Sequence, residues 1–169
     1  LARDGTILQT NLLGASLLGI GRSDQQGRRF GLFVEAAQRP CFNLFMEQVF
    51  TGQPRLPCEL QLGAEGCPPM VVDMKATLAP DGQTCHAVAV NITARKLAEA
   101  ELRISEERLA MALAGDSGDN IPGAKGFGLK TACSYLERYG WDLELLLEAG
   151  EKRLAGQEEI VRTSRSLVD

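Results

Sequence analysis

Asp116 and Asp119 stand three apart ahead of Pro122, and carboxylate oxygens at that spacing can converge on a hard divalent cation. Immediately after them, residues 123–132 read "GAKGFGLKTA". Gly126 and Gly128 allow a tight turn in which the backbone comes close to an anion, and the open N–H groups of a helix starting near Leu129 point at it. Lys130 adds a positive charge and Thr131 a hydroxyl. Such a grip suits one DNA phosphate, without regard to base sequence. Spacing alone leaves plainer alternatives open: a helix-start turn, and a solvated cap for Asp-x-x-Asp. Two sharper motifs fail. Leu129 intrudes between Gly128 and Lys130, which breaks a G-x-x-x-x-G-K-[ST] phosphate loop. Thr131 stands where G-x-G-x-x-G needs its last glycine, and no strand-like run precedes it.

The element ahead of this loop is a helix. Residues 94–114, "ARKLAEAELRISEERLAMALA", lack glycine and proline and are rich in strong helix formers. Ala98, Leu102, Ser105, Leu109 and Ala112 repeat at heptad spacing for about two heptads, and Glu99 precedes Arg103 by four. Two readings stay open, a short parallel coiled coil joining two copies and a single amphipathic helix packed on its own sheet.

Residues 1–93 read as mixed α and β. A turn at Asp4-Gly5 feeds a short β run over 6–10, and Asn11 caps a helical stretch. A second helix is expected in "RPCFNLFMEQVFTG", with Pro40 in its first turn, Phe42, Phe45, Met46, Val49 and Phe50 on one face, and Gly52 as its stop. Three alternating strands follow, with turns at 63–66 and in "PDGQ". Their expected inward sets are Cys58/Leu60/Leu62, Met70/Val72/Met74/Ala76/Leu78 and His86/Val88/Val90/Ile92. The fold class is α+β, with an antiparallel, five-strand-like sheet and flanking helices.

Composition fits a globular chain of 169 residues, 44% hydrophobic and 24% charged, with a mostly aliphatic core because aromatics are 5%. The net charge of −4 offers no general attraction to nucleic acid or anionic membrane. After residue 114 there are 7 Lys and Arg against 10 Asp and Glu, so any DNA contact there must be local. No apolar run is long enough to span a membrane. Five cysteines without a C-x-x-C pair point to reduced thiols and a cytoplasmic setting. With His86 the lone histidine, a zinc site is not expected.

Residues 1–113 resemble the PAS family of sensor domains. The resemblance rests on "DGTILQTN" with "LLG" after it, the "RPCFNLFMEQVF" helix, "CELQL", and "AVAVNITARKLAEAELRISEERL", which is similar to the PAS exit motif of strand, Asp-Ile-Thr and signalling helix. Asn91 stands where that family usually has Asp. It implies a sensory or dimerisation module over 1–93, a linker or signalling helix over 94–114, and a homodimer through both. Cys41 lacks the companions of the flavin-photoreceptor motif, and His86 lies on a strand where haem-binding relatives use a helix. Neither haem nor covalent flavin is therefore expected.

Residues 115–169 resemble the helix–three-turn–helix of the 5′-nuclease family, the flap endonucleases and the 5′ nucleases joined to bacterial DNA polymerase I. "GDSGDNIPGAKGFGLKTA" carries the likeness, with "YLERYGWDLELLLE" and "EEIVRTSRSLVD" matching the following helices. The resemblance implies a small all-α module in which Asp116 and Asp119 match the last two metal-binding aspartates, for Mg²⁺. It implies a duplex-gripping hairpin at Gly126, Phe127, Gly128 and Lys130, with K⁺ held on loop carbonyls. The family's remaining carboxylates precede this motif, where the PAS-like segment stands here, so no nuclease turnover is expected.

Together these describe a chimeric fusion, expected as an assembled one with a naturally rearranged gene as the alternative, that opens part-way through the first PAS strand and stops inside the nuclease-like module. Two functions compete: a non-catalytic signalling or dimerisation module carrying a nuclease-derived fragment, and a weak, non-specific DNA-binding module using the 123–132 hairpin.

Overall fold

The computed structural model of the chain describes residues 1–19, 21, 26–52, 58–63 and 68–168. They divide into two compact units, Leu1–Leu97 and Ala98–Asp169. Cys67 and most of the turn expected over 63–66 lie outside the described residues.

In the first unit, helix α1 (Leu12–Leu17) starts where the Asn11 carboxamide oxygen accepts the N–H of Gly14 at 2.8 Å. Two 3-10 turns, Phe30–Leu32 and Ala36–Gln38, lead into α2 (Arg39–Thr51). Pro40 occupies its first turn, and Gly52 ends it in the left-handed region at φ 70°. Phe42, Phe45, Met46 and Val49 form its buried face, as their spacing dictates. Strands β1 (Cys58–Leu62), β2 (Met70–Leu78) and β3 (Cys85–Asn91) make an antiparallel meander in sequence order. At the β2–β3 turn the Asp81 carboxylate accepts N–H bonds from Gln83 and Thr84 and the Thr84 hydroxyl, which hold its pKa below the ordinary carboxylate value.

The inward face of β3 is the reverse of the expected one. Val72, Met74 and Ala76 of β2 are buried, and their cross-strand partners are Asn91, Ala89 and Ala87. Partners directly opposite share a face, so His86, Val88 and Val90 project outward, with Val88 63% and Val90 54% exposed. Apolar residues occupy both faces of β3, and pairing with β2 decides between them. Among the described residues the sheet also has three strands and not five. Outside them, single bridges join Ala2 to Thr84, Thr6 to Arg29 and Val34 to Leu62, and residues 6–10 form no strand.

The exit from β3 is tied by side chains. Asn91 Oδ1 accepts both the backbone N–H of Thr93 (2.9 Å) and its hydroxyl (2.6 Å), and that hydroxyl accepts the N–H of Val71 (2.9 Å). A single amide oxygen therefore holds the turn from β3 into the next helix. Helix α3 (Thr93–Ala114) begins at this point, with Lys96 2.6 Å and Arg95 3.4 Å from Glu59. Of its heptad positions, Ala98, Leu102 and Ser105 are exposed, Leu109 is half-buried and Ala112 is buried. Arg103 pairs with Glu107 at 3.8 Å, one turn further on.

The second unit is helical. Ala110 and Leu113 from the end of α3 pack with Ala132 and Leu136 of α4 (Leu129–Arg138), Leu143, Leu146 and Leu147 of α5 (Leu143–Glu148), Leu154, and Val161 of α6 (Glu158–Val168). Asp142 caps α5 by accepting the N–H of Leu145 at 3.0 Å. Both α4 and α6 are amphipathic and bury one stripe each. Among the described residues no helix is long and apolar enough to cross a membrane.

Candidate nucleic-acid interface

Between α3 and α4 the chain is shaped by backbone contacts that only glycine permits. Gly115 (φ 77°) and Gly123 (φ 57°) cross so closely that a Cβ on Gly123 would lie 2.2 Å from the Gly115 nitrogen. Between them Asp116 and Ile121 exchange two backbone hydrogen bonds of 2.8 Å each, closing a small loop over 116–121. Gly123 donates its N–H to Ser164 Oγ at 3.0 Å, and Ser164 Oγ donates to the Ile160 carbonyl at 2.9 Å. The Lys125 N–H donates to the Gln157 carboxamide at 2.6 Å. The turn over 123–125 is thus seated on α6 and on Gln157 just ahead of it, more than thirty residues later in the sequence.

Gly126 takes φ 83°, and Gly128 is extended at φ −94°, ψ 167°. A Cβ at either position would meet nothing within 4 Å, so this turn presents bare backbone to solvent. Gly128 is the cap of α4 and has no side chain to occupy the first-turn N–H groups of Leu129, Lys130 and Thr131, which have no acceptor within the helix. Lys130 is exposed and Thr131 half-buried beside them. A helix start of ten residues, open and flanked by a cation, favours an anion.

Phe127 does not join this surface. Its side chain is 5% exposed and packs edge-on against Tyr135 with ring centroids 5.1 Å apart. The ring sits in the core beside Ala124 and Tyr135 because an aromatic side chain is worth more there than in water. The ring carries a residue that sequence reading missed, since Arg153 lies over it with the guanidinium 5.7 Å from the centroid. Arg153 is exposed, 26 positions downstream, and no local motif marks it.

Asp116 and Asp119 lie on the 116–121 loop. Asp116 Oδ1 accepts the N–H of Gly118 at 2.8 Å, an Asx turn, and Asp119 is exposed. Among the described residues no group of three or more His, Cys, Asp or Glu side chains comes together. Two carboxylates, one of them holding its own turn, do not fit the two-metal hydrolytic centre that the 5′-nuclease resemblance implies.

No protein-family model matches the chain. A third of it matches two known proteins, both DNA polymerase I. The second segment is similar to part of that polymerase. The Deinococcus radiodurans protein is 46% identical over 66 residues, covering 33% of this chain and 7% of the polymerase. The Rhizobium leguminosarum protein is 46% identical over 65 residues, covering 34% of this chain and 6% of the polymerase. The chain therefore spans less than a tenth of the length of these relatives. The matches support a nuclease-derived fragment and give no support to the PAS resemblance.

Proposed function

We propose that the second unit is a non-catalytic clamp on the DNA backbone, derived from a 5′-nuclease, gripping phosphate through Gly126, Gly128, Lys130 and Thr131. The observation that carries this reading is the uncapped start of α4 at Gly128, with open space in place of a side chain and exposed Lys130 beside it. The similarity to part of DNA polymerase I supports it. Arg153 adds a second cation on the Phe127 ring. A net acidic tail with so few phosphate contacts keeps binding weak, at the ~10⁻⁴–10⁻⁶ M of non-specific complexes at physiological salt. The setting is cytoplasmic.

Fluorescence anisotropy with duplex DNA across a salt series tests the reading. The logarithm of the binding constant should fall with the logarithm of salt at a slope of about −0.9 for each phosphate neutralised. Lys130→Ala should weaken binding and reduce that slope by about one. Salt-independent binding, or a variant indistinguishable from wild type, contradicts it.

A second reading rests on α3. Its exposed Ala98, Leu102 and Ser105 seam, with Leu102 60% exposed, supports a PAS-like homodimerisation or signalling module in the first half of the chain.

A further inference from the structure

Helix α2 and strand β1 bring two thiols together. Gln38, at the head of α2, accepts the backbone N–H of Gln61 on its side-chain oxygen, so the first turn of the helix lies against β1. Cys41 precedes Phe45 by four and Val49 by eight, which puts all three on one line along the helix. Phe45 and Val49 pack in the core with Leu60 and Met74, and Cys41 continues their line to the rim, where it is exposed. Cys58 opens β1 on the inward face, opposite Met74, and is 2% exposed. At this rim the Cys41 thiol is a hydrogen-bond partner of the Cys58 thiol.

The two sulfurs are in contact but differ in access to solvent. An oxidant in solution meets Cys41, while Cys58 is closed off beneath it. Of the other described cysteines, Cys85 is buried on β3 and Cys133 belongs to the second unit.

We propose that Cys41 and Cys58 form an oxidisable pair, in which a hydroperoxide oxidises Cys41 and Cys58 resolves it to a disulfide clipping α2 to β1. In the first step the Cys41 sulfur, as thiolate, attacks one oxygen of hydrogen peroxide. The O–O bond breaks, the leaving hydroxide takes up a proton as water, and Cys41 becomes a sulfenic acid. In the second step the Cys58 sulfur attacks the Cys41 sulfur and the S–O bond breaks, the hydroxide leaving with the Cys58 proton as water. The sulfurs lose two electrons between them, and one peroxide becomes two waters. Burial holds the proton on Cys58 until that second step, so Cys58 does not compete for the oxidant. Contact makes the resolving step intramolecular, and it should outrun further oxidation of Cys41 to sulfinic acid.

The test treats the reduced full chain with one equivalent of hydrogen peroxide, blocks the remaining thiols with N-ethylmaleimide and maps the products by mass spectrometry. Cleavage after glutamate separates Cys41, Cys58 and Cys67, because Glu47, Glu59 and Glu65 intervene. The Cys41 and Cys58 peptides should appear joined and should come apart in dithiothreitol. Cys41→Ser changes an exposed position, so it should keep the wild-type circular dichroism spectrum while oxidation of Cys58 falls at least about tenfold. Cys58→Ala should leave Cys41 as a sulfenic acid that dimedone labels. Cys41 sulfinic acid in the wild type with Cys58 still reduced, a Cys41–Cys67 link, or a bridge between two copies overturns the proposal. Undiminished Cys58 oxidation in Cys41→Ser overturns it as well.

Discussion

Gly123 and Ser164 are joined by a 3.0 Å hydrogen bond between a buried backbone N–H and a fully buried hydroxyl, across 41 residues of chain. Through it, α6 holds the turn that leads into the start of α4. The Ser164 hydroxyl satisfies both sides, accepting from Gly123 and donating to Ile160.

Ser164→Ala leaves the Gly123 N–H without its partner in the core. An orphaned buried donor costs ~1–3 kcal/mol, and the unfolding midpoint of the second unit in urea should fall accordingly. An unchanged midpoint would mean that the bond contributes nothing.

Two glycines of the same loop should respond in opposite ways. Gly123→Ala forces a Cβ into Gly115 at a left-handed φ, so the loss should exceed the ~1–3 kcal/mol of ordinary overpacking. Gly128→Ala meets open space at an extended φ that any residue adopts, so the fold should survive it. It covers the helix start, however, and DNA binding should drop by roughly two- to fivefold, the size of a helix-terminus interaction with an anion. Thermal melts and anisotropy of both variants check the contrast.

Burial pushes the Cys58 thiol up to about 12, with the neighbouring Cys41 and Asp73 adding to the shift. Iodoacetamide at pH 8 should therefore label exposed Cys41 well before Cys58, as read by mass spectrometry of peptides. The same shift sets a pH dependence. The unfolded chain releases this proton near 9 and the folded chain near 12, so its contribution to stability is complete below about pH 9 and is lost as pH rises toward 12. Denaturant midpoints that rise across that window would have the wrong sign.

If α3 joins two copies, Leu102→Glu places like charges in the seam and should convert a dimer to a monomer in sedimentation velocity. A wild-type chain that sediments as a monomer at every concentration removes the dimer reading.

How much of this was legible in the sequence varied with how local the determinants are. Helix α2 was legible because Pro40, the Phe42–Val49 stripe and Gly52 all lie within its own span. The start of α4 at Leu129 was legible for the same reason. The face of β3 was not, because valines on one side and Cys85, Ala87 and Ala89 on the other give no clear alternation, and β2 chose between them. The expected strand over 6–10 reduces to the single bridge from Thr6 to Arg29, because a strand needs a neighbour along its whole length and local alternation does not supply one. The burial of the Phe127 ring was not legible, because Tyr135 and Arg153, which pack on it, lie 8 and 26 residues downstream. Ser164 and Gln157 could not be read at all, since their partners lie 41 and 32 residues away.

The most direct test of the clamp is an amide-resolved NMR titration of the ¹⁵N-labelled chain with duplex DNA at low salt. Chemical-shift changes should concentrate at Gly126, Gly128, Leu129, Lys130 and Thr131 and be reversed by added salt. Shifts that leave this turn unmoved, or that gather elsewhere on the chain, would contradict it.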